Sequence, residues 1–159
     1  MKILHELARH KTGGDNLIIQ TAVRLLVPFI QLFGLYVIVH GHYSPGGGFQ
    51  GGVVLGASFI LLALAFDLRT SLRFMSEGAN AILGNAGALI YIGIGVLCAL
   101  VGGLFLDYGA LDRLIPLGPV EWRSFGIFLV EVGVGIAVMS IMASLYWDIG
   151  SGGEMDEGL

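Results

Sequence analysis

Charged residues and cysteines are scarce in this sequence. Only 13% of its 159 residues are charged and 55% are hydrophobic, whereas a soluble domain carries about 25% charged residues. Mean hydropathy is +0.84. Cys98 is the single cysteine, which excludes an internal disulfide and a metal site built from several cysteines. The composition therefore predicts an integral membrane protein.

Basic clusters are also lacking. The net charge is −4 and no patch of Lys and Arg interleaved with aromatic residues occurs, so no nucleic-acid partner is expected. The first residues, MKILHELARHK, have no uninterrupted apolar core and do not resemble a signal peptide. We expect residues 2–11 to form a short amphipathic helix at the membrane interface. A frayed polar tail is the alternative.

Four apolar runs predict an all-α integral membrane protein with four transmembrane helices. Their expected bounds are 17–39, 51–66, 84–106 and 124–147. The second run has 16 residues and would cover about 24 Å of a core that is about 30 Å thick. Either polar residues at its end reach the interface, or the glycine-rich segment before it enters the membrane. We expect one domain over residues 1–148 and an acidic flexible tail over 149–159.

Lys and Arg are distributed unequally between the two sides of this predicted topology. One side carries Lys2, Arg9, Lys11, Arg69 and Arg73, and the other carries Arg113 and Arg123. The positive-inside rule then predicts a multi-pass protein of the cell membrane with both termini in the cytoplasm.

Two ionisable residues fall inside predicted spans, where charge is costly and often functional. Arg24 lies seven residues into the first span and Glu131 seven into the fourth. Their depths leave an axial gap of about 10 Å, which disfavours a direct ion pair. Arg24 either reaches the lipid headgroups or contacts a partner. Glu131 either contacts a polar pathway or partner subunit, or is hydrogen-bonded to a nearby helix. Three other polar residues of the spans are expected between helices: Gln20, Gln31 and Asn85.

The connection between the first two spans reads HGHYSPGGGFQGG, from His40 to Gly52. It contains the spacing GxGxxG, but a membrane span precedes it instead of a strand, so a nucleotide site is rejected. His40 and His42 have no cysteine or carboxylate beside them in the sequence and make a poor metal site. No set of nucleophile, base and orienting group is visible. We expect no catalytic residue, metal or cofactor in this chain.

This connection and the small-residue helix after it resemble the B subunit of Mrp-type multisubunit cation/proton antiporters. The same family occurs as a module of membrane-bound hydrogenase complexes. The family signature corresponds here to His42, Pro45, Gly46, Gly47, Gly48, Phe49, Gln50, Gly51 and Gly52.

The resemblance implies a small, non-catalytic accessory subunit of a hetero-oligomeric Mrp-type complex that exchanges Na⁺ for H⁺. The alternative is the same ion-translocation module within a hydrogenase-like redox complex. A self-contained permease is less expected, because four spans without an inverted repeat are few for a transporter.

Physical chemistry suggests a use for the signature. Pro45 and the three glycines after it favour a non-helical backbone, and Phe49 can enter an apolar pocket of a neighbouring subunit. His42 can exchange protons near neutral pH. We expect this segment to line or brace an outward-facing ion route, with Glu131 as the nearest buried carboxylate and Gln50 and Arg24 as further contact residues. A tight turn with no such role is the alternative.

Overall fold

The computed structural model describes residues 13–41 and 46–152, with side chains from residue 17 onward. Within these ranges the chain folds into five α-helices and one 3-10 helix, without a strand. The helices are α1 (Gly13–Val39), α2 (Gly48–Ala65), α3 (Leu68–Phe74), α4 (Glu77–Leu100), the 3-10 helix (Tyr108–Arg113) and α5 (Pro119–Ser151). All but α3 and the 3-10 helix are long and apolar enough to cross a membrane. The chain is therefore an all-α, multi-pass membrane protein, as its composition predicts.

The four spans place the start of α1 and the end of α5 at one end of the bundle, together with α3; this is the terminal end. The connection from α1 to α2 and the 3-10 helix lie at the other end, the loop end. The predicted amphipathic helix over residues 2–11 lies outside the described residues. The predicted tail begins too early, because α5 continues to Ser151, and residues 153–159 are again outside the described part of the chain.

The bounds of the third span differ most from the prediction. The helix begins at Glu77 and ends at Leu100, about two turns earlier at each end than predicted. Ser76 caps its start, since its hydroxyl accepts a hydrogen bond from the Ala79 backbone N–H at 3.3 Å. Its end precedes Gly102, which has a φ of +91°. Both signals, the Ser76 cap and Gly102, are single residues, and they have little effect on a prediction made from the length of an apolar run.

The second span is longer than predicted because the glycine-rich connection supplies its first turn. Helix α2 starts at Gly48 and has 18 residues, which corresponds to about 27 Å. This length is closer than that of the apolar run to the thickness of a hydrocarbon core, which is about 30 Å.

The seven-residue helix α3 is absent from the sequence prediction. Asp67 caps it by accepting a hydrogen bond from the Thr70 backbone N–H at 2.6 Å. Ser71 faces inward and accepts a hydrogen bond from Trp147 Nε1 at 3.2 Å, and Met75, just after the helix, packs in the same cluster as Trp147. This contact fixes α3 against α5 at the terminal end.

Helix α5 is the shared partner of α2 and α4, and glycines allow both contacts. A Cβ atom added to Gly52 of α2 would lie 2.6 Å from the Gly135 carbonyl oxygen of α5. On another side of α5, a Cβ atom at Gly87 of α4 would lie 2.7 Å from the Ala137 backbone nitrogen. Glycine thus brings the helix backbones close enough for direct packing, which drives association where no water is present.

Candidate functional site

The side chain of Glu131 lies against the glycine-rich connection at the loop end. A Cβ atom on Gly41 would be 2.6 Å from Glu131 Oε2 and 2.8 Å from Oε1. A Cβ atom on Gly47 would be 3.4 Å from Oε1, and one on Gly48 would overlap the backbone carbonyl of Glu131. We call Gly41, Gly47 and Gly48 the glycine cradle. The half-buried carboxylate occupies space that side chains at these positions would otherwise fill.

Backbone conformation also requires glycine in the cradle. Gly47 has a φ of +133° immediately before the first turn of α2, a region that residues with a Cβ atom rarely adopt. Gln50 Oε1 would lie 3.5 Å from a Cβ atom placed on Gly47. The chain thus turns into α2 tightly against Glu131, with the Gln50 side chain beside the turn.

Two other signature residues, Phe49 and Gln50, face away from the bundle. Phe49 exposes 61% of its surface, and Gln50 is exposed as well. Gly46 packs near Val37, since a Cβ atom there would lie 3.3 Å from Val37 Cγ1. His42 and Pro45 lie outside the described residues. The segment therefore has an inner side that contacts Glu131 and an outer side that presents an aromatic ring.

The 3-10 helix closes the loop end beside Glu131. Tyr108 packs on Gly126 of α5, and burial raises the pKa of Tyr108, with nearby negative charges, that of Glu131 among them, adding to the rise. This shift is the expected response of a phenol in a region of low dielectric. The Glu131 carboxylate therefore lies near the 3-10 helix as well as the glycine cradle.

Arg24 lies far from Glu131. Its guanidinium carbon is 5.0 Å from the ring centroid of Phe66, at the end of α2, which is a cation–π geometry. Val39 is 15 residues further along α1, about 22 Å at 1.5 Å per residue, and Gly41 beyond it contacts Glu131. The separation is larger than the sequence estimate, so the predicted contact residues divide between the two ends.

A groove of about 420 Å³ runs along Arg24 between α1, α2 and α3. It is lined by Arg24, Val27, Pro28, Gln31, Phe59, Leu62 and Phe74. The Arg24 guanidinium lies at the terminal end of this groove, and most of the other lining side chains are apolar. Such a groove matches an amphipathic molecule whose negative group faces the arginine.

Polar contacts between helices only partly match the prediction. Gln31 donates a hydrogen bond to Ser58 Oγ at 3.2 Å, linking α1 to α2. Asn80, which the sequence analysis missed, donates to the Ser140 carbonyl at 2.9 Å and to Ser144 Oγ at 2.8 Å. Its place near the start of α4 was hidden because the span was predicted to begin later. Asn85 is exposed and makes no link between helices within residues 17–41 and 46–152.

Metal ligands do not assemble in the described part of the chain, where no three of the His, Cys, Asp and Glu side chains come together. His40 stacks on Tyr36 with ring centroids 4.1 Å apart, and its Nδ1 is 3.0 Å from the Tyr36 carbonyl oxygen. The candidate site is therefore the Glu131 carboxylate packed against the glycine cradle, with the exposed Phe49 next to Gly48 in the chain.

Comparison with known proteins gives a family for this architecture. A family model described as a domain related to the MnhB subunit of Na⁺/H⁺ antiporter matches residues 18–144. The chain belongs to the MnhB family. This match contains all four apolar helices in large part, the glycine cradle and Glu131.

Three relatives with antiporter-subunit names can be aligned with most of this chain. A protein of Bacillus subtilis strain 168, named as the B subunit of a Na(+)/H(+) antiporter, is 35% identical over 137 residues, covering 86% of this chain and 94% of the relative. A Staphylococcus saprophyticus protein with the name "Putative antiporter subunit mnhB2" is 30% identical, covering 87% and 96%. A protein of the same name from Staphylococcus aureus strain Newman is 28% identical over the same shares.

Proposed function

We propose that the chain is an accessory membrane subunit of a multisubunit Na⁺/H⁺ antiporter and is not catalytic by itself. Membership of the MnhB family and the names of its relatives support this function. The other subunits of the antiporter are then its partners, and Na⁺ and H⁺ are the transported ions. The redox-complex alternative gains no support from these relatives, whose names describe antiporter subunits.

The site we propose is the Glu131 carboxylate in its glycine cradle. The observation that carries it is the close approach of Gly41 to both carboxylate oxygens and of Gly47 to Oε1. A carboxylate in a region of low dielectric is stabilised by binding a proton or by a nearby cation. Non-helical backbone at membrane depth is found against protein or beside a water-filled cavity. In this proposal the cradle lines or braces an ion route, and Glu131 exchanges protons or interacts with the passing cation.

The depth of Glu131 supports this role. Trp147, at the terminal end of α5, is 16 residues further on, about 24 Å along the helix. Helix α3 packs on Trp147 and carries the exposed Arg69 and Arg73, which mark the membrane interface at that end, so Glu131 lies inside a hydrocarbon core that is about 30 Å thick. A carboxylate at that depth needs either a protein partner or access to ions.

The remaining signature residues are assigned by their chemistry and place. His42 would relay protons between Glu131 and the outside, Pro45 and Gly46 would keep the segment non-helical, and exposed Phe49 and Gln50 would contact a larger subunit. Aromatic side chains are favoured anchors at protein interfaces.

Arg24 has a separate role in this proposal. Its groove at the terminal end suits the phosphate of a membrane lipid, with an acyl chain along the apolar wall. Because Arg69 and Arg73 are also exposed at that end, the positive-inside rule assigns it, and both termini, to the cytoplasm.

The test compares Glu131→Gln with Glu121→Gln in the assembled complex. Glu121 lies in the first turn of the same helix and is exposed. Na⁺-dependent proton movement in everted membrane vesicles is expected to fall at least about tenfold for Glu131→Gln and to stay unchanged for Glu121→Gln. His42→Ala is expected to slow transport and shift its pH profile.

Co-purification separates failure of the site from failure of the function. The tagged chain extracted in mild detergent is expected to bring large antiporter subunits, identified by mass spectrometry. Full transport by an intact complex carrying Glu131→Gln would remove the site but keep the function. Iron–sulfur proteins in fixed ratio, or recovery of the chain alone, would overturn the antiporter assignment.

A further inference from the structure

Two asparagines on α4 occupy opposite environments. Asn80 is 1% exposed and hydrogen-bonded to α5. Asn85, five residues on, projects about 140° away around the helix and is exposed. Its amide makes no hydrogen bond to the part of the chain that the structure describes. Asn80 links helices within the chain, whereas Asn85 is directed away from it.

Asn85 lies deep in the membrane. Its neighbours Gly84 and Gly87 face Ser140 and Ala137 of α5, so Asn85 is level with that part of α5. Ala137 is six residues from Glu131, about 9 Å along the helix. It is ten residues from Trp147 in the other direction, about 15 Å. Water is absent at this depth, and an amide there requires a hydrogen-bonding partner.

The surface around Asn85 is shaped for another helix. Residues at helical spacing from it are exposed, with small side chains on one side, at Ala81 and Ala88. Large side chains lie on the other side, where Ile82 is 71% and Leu89 is 68% exposed. A row of small residues beside a row of large ones forms the groove and ridge that packing helices use, and small residues permit close approach.

We propose that this outer face of α4 packs against a transmembrane helix of a different antiporter subunit, and that a polar side chain of that helix hydrogen-bonds the Asn85 amide. The proposal rests on the proposed function, which supplies larger subunits as neighbours. Lipid tails cannot satisfy an amide, so they do not account for Asn85 at this depth. The occupant is thus a helix with a hydrogen-bonding residue near the membrane centre.

A photo-crosslinking amino acid at Leu89, in the complex within its native membrane, tests the proposal. We expect an adduct with a different subunit, identified by mass spectrometry. Adducts formed solely with a second copy of this chain or with lipid, while the other subunits still co-purify, would overturn it. Failure of any other subunit to co-purify would count instead against the proposed function on which it rests.

Substitution of Asn85 measures the hydrogen bond itself. Asn85→Leu is expected to lower the crosslinking yield and the detergent-stable complex about three- to tenfold, the range for a hydrogen bond between membrane helices. Because the side chain is exposed, the change should leave folding of the chain alone intact. Ile82→Leu, an isomeric change on the same face, is the matched control and should behave as wild type. Unchanged assembly with Asn85→Leu would refute the role of the amide.

Discussion

At the loop end the chain packs on Glu131 through glycines, whereas toward the terminal end the helices are also joined by side chains that hydrogen-bond between them. At the loop end Gly41 and Gly48 approach Glu131 directly. At the terminal end Trp147 donates to Ser71 and Asn80 donates to Ser140 and Ser144. At the loop end there is no room for an added side-chain atom. At the terminal end a single substitution removes only the hydrogen bonds of one side chain. The loop end should therefore fail by steric overlap and the terminal end by gradual weakening.

The largest expected effect comes from Gly48→Ala, because its new Cβ atom overlaps the backbone carbonyl of Glu131. Overpacking against a backbone should lower the free energy of unfolding by about 3 kcal/mol. A thiol-reactive dye can follow thermal unfolding of the chain in detergent, since Cys98 is its single cysteine and 0% exposed.

Gly93→Ala is the matched control for that substitution. A Cβ atom there has nothing within 4 Å, and alanine favours a helix over glycine by about 1 kcal/mol. Stability should stay constant or rise. Equal losses for Gly48→Ala and Gly93→Ala would show that close packing at the loop end is not what glycine provides.

An intermediate effect is expected at the terminal end from Asn80→Leu. The change removes hydrogen bonds to the Ser140 carbonyl and to Ser144 Oγ and should cost about 1 kcal/mol in the same dye assay. Asn85→Leu changes the same atoms on the exposed face and should leave the melting temperature of the chain unaltered. A larger loss from Asn85→Leu than from Asn80→Leu would contradict the assignment of inner and outer faces.

The smallest effect concerns the cap of α3 and depends on pH. The hydrogen bond from the Thr70 backbone N–H lowers the pKa of Asp67, and Arg73 and Arg69 contribute further. A carboxyl group with a lowered pKa in the folded state stabilises that state above its unfolded pKa of about 3.9 and loses this effect as pH falls through the folded value. Acid should therefore loosen α3 slightly before the bundle unfolds.

Trp147 fluorescence can report this change in a Trp122→Phe background, because its ring nitrogen contacts Ser71 of α3. Asp67→Asn keeps a capping side chain without the titration and should remove the acid-dependent step. Persistence of the step in Asp67→Asn would assign it to another group.

The sequence was sufficient for the all-α class and for most of α1, because long apolar runs dominate both. It misplaced α4 because the Ser76 cap and Gly102 act through single residues that hydropathy does not weigh. It missed α3 because seven residues starting at Leu68 and bearing two arginines are too short and too polar to stand out. Their helix depends on a cap and on the Trp147 contact.

The candidate site was accessible to sequence reasoning only in outline. Counting residues along each span was enough to name Glu131 as the buried carboxylate nearest the glycine-rich connection, and the structure brings the two into contact. The packing of Gly52 on Gly135 and of Gly56 on Met142 of α5 could not be inferred, because paired glycines are frequent in a chain with 26 of them. Which face a glycine occupies depends on helix rotation, which the sequence does not specify.

The position of α5 in the chain has a consequence for biogenesis. Residues 119–151 leave the ribosome after α2 and α4 have been synthesised, yet the glycine faces of both helices and the amide of Asn80 find their partners on α5. Until α5 has entered the membrane, those surfaces face lipid or the insertion machinery. Helices α1 and α2 already share the hydrogen bond from Gln31 to Ser58 before that point, whereas the packing of α2 and α4 on α5 forms only after the last helix has been synthesised.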